Sequence, residues 1–235
     1  MFLYSDMDIS IIDELPPGRK KVRTFFVDDS YEKRIIEFIK KQKENGNQTF
    51  VVCPAIEEND LQQNLVSAEL VFEKLSFALP ELKLGLLHGK LKNLEKDHIM
   101  ADFNQKKLDI LVSTTVIEVG IDVPNATLMI VENADRFGLA QLHQLRGRVG
   151  RGKAESFCIL KSSSKSKTAK ERLNMLTKTD NGFSLAEFDL KTRGPGEFFG
   201  ERQSGHFSLI NLSAASEKLL LCAKKEAEAL LLKNK

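Results

Sequence analysis

The sequence is poor in cysteine, and its three, Cys53, Cys158 and Cys222, lie far apart with no Cys-x-x-Cys spacing. That excludes a disulfide framework and a thiolate metal site. Cys53 and Cys158 fall in apolar, strand-like runs, where free thiols act as small buried hydrophobes in a reducing compartment. The four histidines have no cysteine or carboxylate cluster around them, so no metal site is expected. Of these, His98 and His143 fall within helical patterns and read as packed or solvated. No segment approaches the roughly 18 apolar residues of a membrane span. The first residues lack the basic flank, apolar core and cleavage site of an export signal, so a cytoplasmic protein is expected. Asn125-Ala-Thr and Asn211-Leu-Ser match a glycosylation pattern that has no meaning in that compartment. A formal net charge of +2 excludes a strong global field, so any nucleic-acid binding would rest on local patches.

Two further absences bear on chemistry. There is no Gly-x-x-x-x-Gly-Lys-Ser/Thr phosphate cradle: the nearest run, Gly85-Leu-Leu-His-Gly89-Lys90-Leu91, has the wrong spacing and no hydroxyl. No Asp-Glu-x-His quartet ends a strand, and Asp13-Glu14 stands before Pro16-Pro17 in a turn setting. Without a cradle and a metal carboxylate, the stabilisation of a transferring phosphoryl group is incomplete.

What is present alternates between strand and helix. With 235 residues, 42% of them hydrophobic, the chain can bury one core and carry an appendage. Strands are predicted at Val22–Val27, Thr49–Cys53, Leu82–Leu87, Asp109–Ser113, Thr127–Val131 and Ser156–Leu160. Between them, helices are predicted from Asp28-Asp29-Ser30 to Gly46, then at Leu61–Leu79, Asn93–Phe103 and Gly138–Val149. This pattern implies an α/β fold with a mostly parallel sheet covered by helices on both faces. Beyond Leu160 the run Lys161-Ser-Ser-Ser-Lys-Ser-Lys-Thr168 reads as a solvated connector. Two short helices follow, Ala169–Lys178 and Leu185–Leu190. Ser213 reads as the cap of a last helix through Lys233 with an apolar stripe of Leu219, Leu220, Ala223, Ala227 and Leu230. No repeat of solenoid length is visible.

Chemistry concentrates in Gln141-Leu-His-Gln-Leu-Arg-Gly-Arg-Val-Gly-Arg-Gly152, with three arginines and three glycines. On a helix, Arg148 and Arg151 project from one face. A guanidinium is planar, always charged and matched to phosphate oxygens, and the glycines let backbone approach a partner closely. The run is therefore expected to grip a nucleotide's terminal phosphate; a solvated basic helix end is the plainer alternative. Upstream, three apolar runs close on polar or glycine-rich turns: Val51-Val-Cys-Pro54, Leu87-His-Gly-Lys90, and Asp109-Ile-Leu-Val112 leading into Ser113-Thr-Thr-Val-Ile-Glu-Val-Gly-Ile-Asp-Val-Pro-Asn125. Open α/β sheets place their ligands at such strand ends.

In this order, Phe50–Pro54, His88-Gly89, Ser113–Asp122 and Gln144–Arg151 resemble motifs IV, IVa, V and VI of superfamily 2 helicases. These motifs belong to the second of two RecA-like motor domains. Lys191-Thr-Arg-Gly-Pro-Gly-Glu-Phe-Phe-Gly-Glu-Arg-Gln-Ser-Gly205 resembles the TRG motif, and its details, with Asp6–Arg19, resemble the RecG-like branch. The similarity runs from about residue 3 to the C-terminal helix.

The resemblance implies a division into an interdomain linker (1–20), a second RecA-like domain (21–161) and a helical TRG region (162–235). It implies catalytic roles for Arg148 and Arg151 as arginine fingers reaching a γ-phosphate, and nucleotide-facing positions for Gly120, Asp122, Gln144 and Gly147. Pro54, His88, Gly89 and Thr114 are implied DNA contacts. Arg193, Gly194, Arg202 and Gln203 are implied to couple cleft closure to duplex movement. No metal ligand is implied: ATP with magnesium would be held mainly by an N-terminal motor domain missing from this chain. The partners implied are branched double-stranded DNA and the missing motor and wedge domains of the same polypeptide, in a monomer. The function implied is that of an ATP-driven translocase remodelling branched DNA and stalled forks in repair and recombination, its fragment inactive alone. Thr115 stands where many relatives carry Asp, a departure shared by RecG-like sequences. Three rivals remain: the transcription-repair coupling factor, against which Pro195 and Glu197 argue; a stand-alone nucleic-acid-binding module; and a dinucleotide enzyme. The last is disfavoured because Gly147, Gly150 and Gly152 have the wrong pattern and follow a helix.

Overall fold

In the computed structural model the described residues are 20–54, 67–114, 123–152, 154–193 and Glu226, the side chains of 190–193 excepted. The chain divides into two compact units, Glu14–Thr192 and Met1–Asp13 with Arg193–Lys235. Nearly all the described residues belong to the first.

Their elements alternate: β1 Arg23–Val27, α1 Glu32–Glu44, β2 Gln48–Cys53, α2 Ala68–Ala78, β3 Leu84–Leu87, α3 Asn93–Asn104, β4 Ile110–Thr114, β5 Ala126–Val131, α4 Leu139–Arg146, β6 Phe157–Lys161, α5 Lys167–Lys178 and α6 Gly182–Arg193. The six strands form one sheet in the order β1-β6-β5-β2-β4-β3, and every pairing is parallel. The α/β sheet expected from the alternation is present. β2 and β5 are buried along their whole length, as central parallel strands with helices on both sides must be.

Alternate side chains of each strand feed two cores. Phe50, Val52, Leu111, Met129, Val131, Cys158 and Leu160 point to one face. There they meet Phe103 of α3, Leu139 and Leu142 of α4, Leu173 and Leu176 of α5 and Leu185 of α6. Val51, Cys53, Ile110, Val112, Leu128 and Ile130 point to the other, against Ile35 and Ile39 of α1 and Val71 of α2. The helix pair after β6 is thus part of the same packed body as the sheet.

Local chemistry explains most element ends. Asp28 accepts from Ser30 N at 3.0 Å and opens a short 3-10 turn, Asp29–Tyr31, that leads into α1. Gly46 ends α1's exit turn at φ +75°, where a side chain would be strained. The expected helix from Leu61 is corrected: α2 starts after Ser67, whose Oγ accepts from Leu70 N at 3.1 Å, and Leu61–Val66 lie outside the described residues. The connector reading of residues 161–168 holds for Ser163–Ser166 and is corrected at its ends. Lys161 closes β6 and is buried with Ser162, while Lys167 and Thr168 already belong to α5. Finally, α6 extends to Arg193, so Lys191–Arg193 are helical in backbone, where a loop was expected. The predicted helix from Ser213 lies outside the described residues, Glu226 apart.

Candidate functional site

The parallel sheet has two chemically distinct edges. At its carboxyl edge β2, β4 and β3 stand side by side, with Cys53 in register with Thr114 and Leu87 with Ser113. Pro54 (buried), His88 (half-buried), Gly89 (exposed) and Thr114 (half-buried) therefore come together at neighbouring strand ends. Gly89 sits in a turn, its carbonyl accepts from Lys96 Nζ at 3.2 Å, and among the described residues nothing lies within 4 Å of the position its Cβ would take. His88 Nδ1 is buried with no hydrogen-bond partner among the described residues.

The arginine loop lies at the opposite edge. A Cβ on Gly150 would meet Val22 at 2.9 Å and Ser156 at 3.5 Å, and one on Gly152 would lie 2.8 Å from the carbonyl oxygen of Pro124. Val22, Ser156 and Pro124 precede β1, β6 and β5, so the loop packs at the amino ends of these strands. A strand of five or six residues separates the two edges by about 17 Å. The arginines and the strand-end residues therefore cannot share one pocket. Thr114 and Val123, which flank residues 115–122, stand on opposite edges; Gly120 and Asp122 lie outside the described residues.

The helix-face argument for Arg148 and Arg151 is overturned. α4 ends at Arg146, and Gly147 caps it with its N–H donating to His143 O at 3.0 Å. Arg148 is in the following turn, half-buried, with its N–H donating to Leu145 O at 3.0 Å. Arg151 is exposed beyond Gly150, whose φ of +80° no helix allows. Glycines at 147 and 150 stop the helix, so the two guanidiniums are presented by a loop. Gln144 stays on α4 and is exposed. Of the coupling residues, Arg193 has only its backbone described, at the end of α6, and Gly194, Arg202 and Gln203 lie outside the described residues.

Two charged groups escaped the sequence reading. Arg146 is 4% exposed, and its Nη1 donates to Leu176 O and Thr179 O, both at 2.9 Å. Its place at four and seven residues from Leu142 and Leu139 put it on α4's apolar stripe, a signal open to inspection. Lys161 pairs with Glu132 at 3.3 Å, and Asp29 lies 3.4 Å from the same ammonium. An open groove of about 820 Å³ over β1 and β6 is lined by Arg23, Phe25, Tyr31, Arg34, Phe38 and Phe157 among others; no site residue expected from the sequence lines it. Among the described residues no group of three or more His, Cys, Asp or Glu could hold a metal ion. Nor is any helix there long and apolar enough to cross a membrane.

The family model of the helicase conserved C-terminal domain matches residues 30–153. The chain belongs to that family. It is similar to proteins named ATP-dependent DNA helicase RecG. In Thermotoga maritima the identity is 53% over 203 residues, covering 86% of this chain and 26% of that protein. In Synechocystis it is 45% over 237 residues, covering 99% and 28%. A structure of RecG bound to a three-way DNA junction superposes with a TM-score of 0.69 at 49% identity, covering 83% of this chain and 25% of that one. Domain 2 of the DEAD-box helicase Mss116p, solved with an RNA duplex, has a TM-score of 0.52 at 19% identity over 66% of this chain and 60% of that one, a likeness of fold alone. The sheet is therefore the RecA-like sheet of helicase C-terminal domains. The chain spans about a quarter of the length of the RecG relatives it matches.

Proposed function

We propose that this chain is the second motor domain of an ATP-dependent translocase of double-stranded DNA that remodels branched DNA and stalled forks during repair and recombination. The observation that carries the reading is the separation of the two residue groups on one rigid sheet, with strand-end residues at one edge and the arginine loop at the other. The similarity to RecG, including a RecG solved with a three-way junction, supports branched DNA as the substrate.

In this reading Arg148 and Arg151 reach an ATP held on another motor domain of the same polypeptide, with Gly120, Asp122, Gln144 and Gly147 beside them. Guanidiniums directed at the charge that develops on a transferring phosphoryl group are worth about 10³–10⁵ in rate in related systems. Pro54, His88, Gly89 and Thr114 track the sugar-phosphate backbone, contacts that set register and carry no sequence information. Arg193, Gly194, Arg202 and Gln203 convert closure into duplex movement. Residues 1–20 serve as linker, 21–161 as motor and 162–235 as the coupling region. A wedge domain on the same polypeptide would select the fork, and the enzyme works as a cytoplasmic monomer. Magnesium and the phosphate cradle belong to the other motor domain, so this chain alone does not turn over ATP.

The test is direct. A full-length protein carrying this chain should unwind a three-way junction only with ATP, while the 235-residue chain alone shows no DNA-stimulated hydrolysis. Turnover by the isolated chain would mean that it carries a catalytic site of its own, and the half-motor reading fails.

A further inference from the structure

Arg146 stands two residues before Arg148 and is aimed away from the sheet edge, into the corner between α5 and α6. Besides its bonds to Leu176 O and Thr179 O, its Nη1 lies 3.3 Å from Asp180 Oδ1, and its Nη2 is 2.8 Å from His143 Nδ1. A guanidinium has no acceptor, so His143 Nδ1 must accept, which puts the ring proton on Nε2. Leu176 belongs to the last turn of α5, where carbonyls have no partner within the helix and a cation opposes the negative end of the dipole. The loop's other end is held by close packing of Gly150 on Val22 and of Gly152 on the Pro124 carbonyl.

We infer that Arg146 is a positioning residue: its guanidinium ties the root of the Arg148–Arg151 loop to the Leu176–Asp180 corner, so that the loop and the start of α6 move as one piece. The inference rests on the proposed nucleotide role of Arg148 and Arg151. α6 begins at Gly182, two residues past Asp180, and is seated on the core by Leu185 and beside Arg172 by Asp189 at 4.0 Å. A shift of the arginine loop on meeting a phosphate would therefore reach α6 through one buried side chain. Lysine retains the charge but offers a single nitrogen, which can replace Nη1 at the two carbonyls but cannot also supply the Nη2 bond to His143 Nδ1.

The experiment uses the full-length protein. Arg146→Lys should lower kcat of DNA-stimulated ATP hydrolysis about 100-fold, the scale set by small misplacements of catalytic groups, with KM for ATP within about twofold. Hydrogen exchange should rise together in residues 147–152 and 179–185. Combined with Arg151→Lys, it should add less than about a twofold loss, because residues acting as one unit are not additive. Should Arg146→Lys fail to fold, Asp180→Asn, which removes the charged partner and also a 3.7 Å contact with Lys21, should show the same kcat loss more weakly. An unchanged kcat in a folded variant, or losses that multiply in the double variant, overturns the inference. Normal turnover in Arg151→Ala would instead remove the nucleotide reading on which it stands.

Discussion

Lys161 and Glu132 form an ion pair inside the protein, with Nζ 3.3 Å from Oε2, at the carboxyl ends of the adjacent strands β6 and β5. Burial pushes the Glu132 carboxyl above its ordinary range, against the pull of Lys161. Burial also works against the Lys161 ammonium, but Glu132, Glu32 and Asp29 outweigh it and hold its pKa above the ordinary value of 10.5. The lysine's contribution to stability is therefore complete below about pH 10.5 and is lost as pH rises through the folded value.

Replacing that lysine separates the two effects. Lys161→Met leaves a buried carboxylate without its cation and should cost about 3–5 kcal/mol at pH 7.5. The folded variant binds a proton at Glu132 more readily than the unfolded chain, so its deficit should shrink as pH falls toward 5. Urea unfolding at both pH values checks this. An equal deficit at pH 7.5 and pH 5 would mean that the pair is not the source of the loss.

The arginine loop makes a kinetic prediction. In the full-length protein, Arg151→Ala should reduce ATP hydrolysis by about 10³-fold or more, while junction affinity stays within a few-fold. Titration of a labelled junction beside a steady-state assay reads both quantities. Parallel loss of DNA binding would make Arg151 a nucleic-acid residue.

Glycines at the two edges should respond oppositely. Gly152→Ala brings a Cβ to 2.8 Å from a backbone oxygen that cannot swing away, and should destabilise by about 1–3 kcal/mol. Gly89→Ala meets nothing within 4 Å among the described residues and should be neutral to within about 0.5 kcal/mol. Denaturation midpoints of the two variants decide whether the arginine loop is held as tightly as the packing at Pro124 implies.

The cysteines offer a chemical probe of both cores. Cys158 is fully buried and its thiol is pushed up to about 12 by burial. Burial and then Glu132 push Cys53 higher still. At pH 8 neither should react with a disulfide reagent until the chain unfolds, and peptide mass mapping of labelled protein reads each site separately. Rapid labelling of Cys53 in the native protein would show that its core opens locally.

The alternation of strands and helices, the caps at Asp28 and Gly46 and the turn after Leu87 were all legible in the sequence. Apolar period and turn chemistry are local properties, decided by a few neighbouring residues. The same locality explains the errors. Helical periodicity alone carries α4 through Val149, because counting spacings cannot weigh Gly147 and Gly150 against an apolar stripe. Lys161 looked solvated, because nothing near it in the chain shows that β6 ends beside Glu132, 29 residues away. Which sheet edge each motif reaches, and that Arg146 meets the carbonyls of Leu176 and Thr179 while Arg148 and Arg151 serve a loop, depended on strand order and register. Those are set by packing between residues far apart in the chain, and only the assembled sheet brings them into contact.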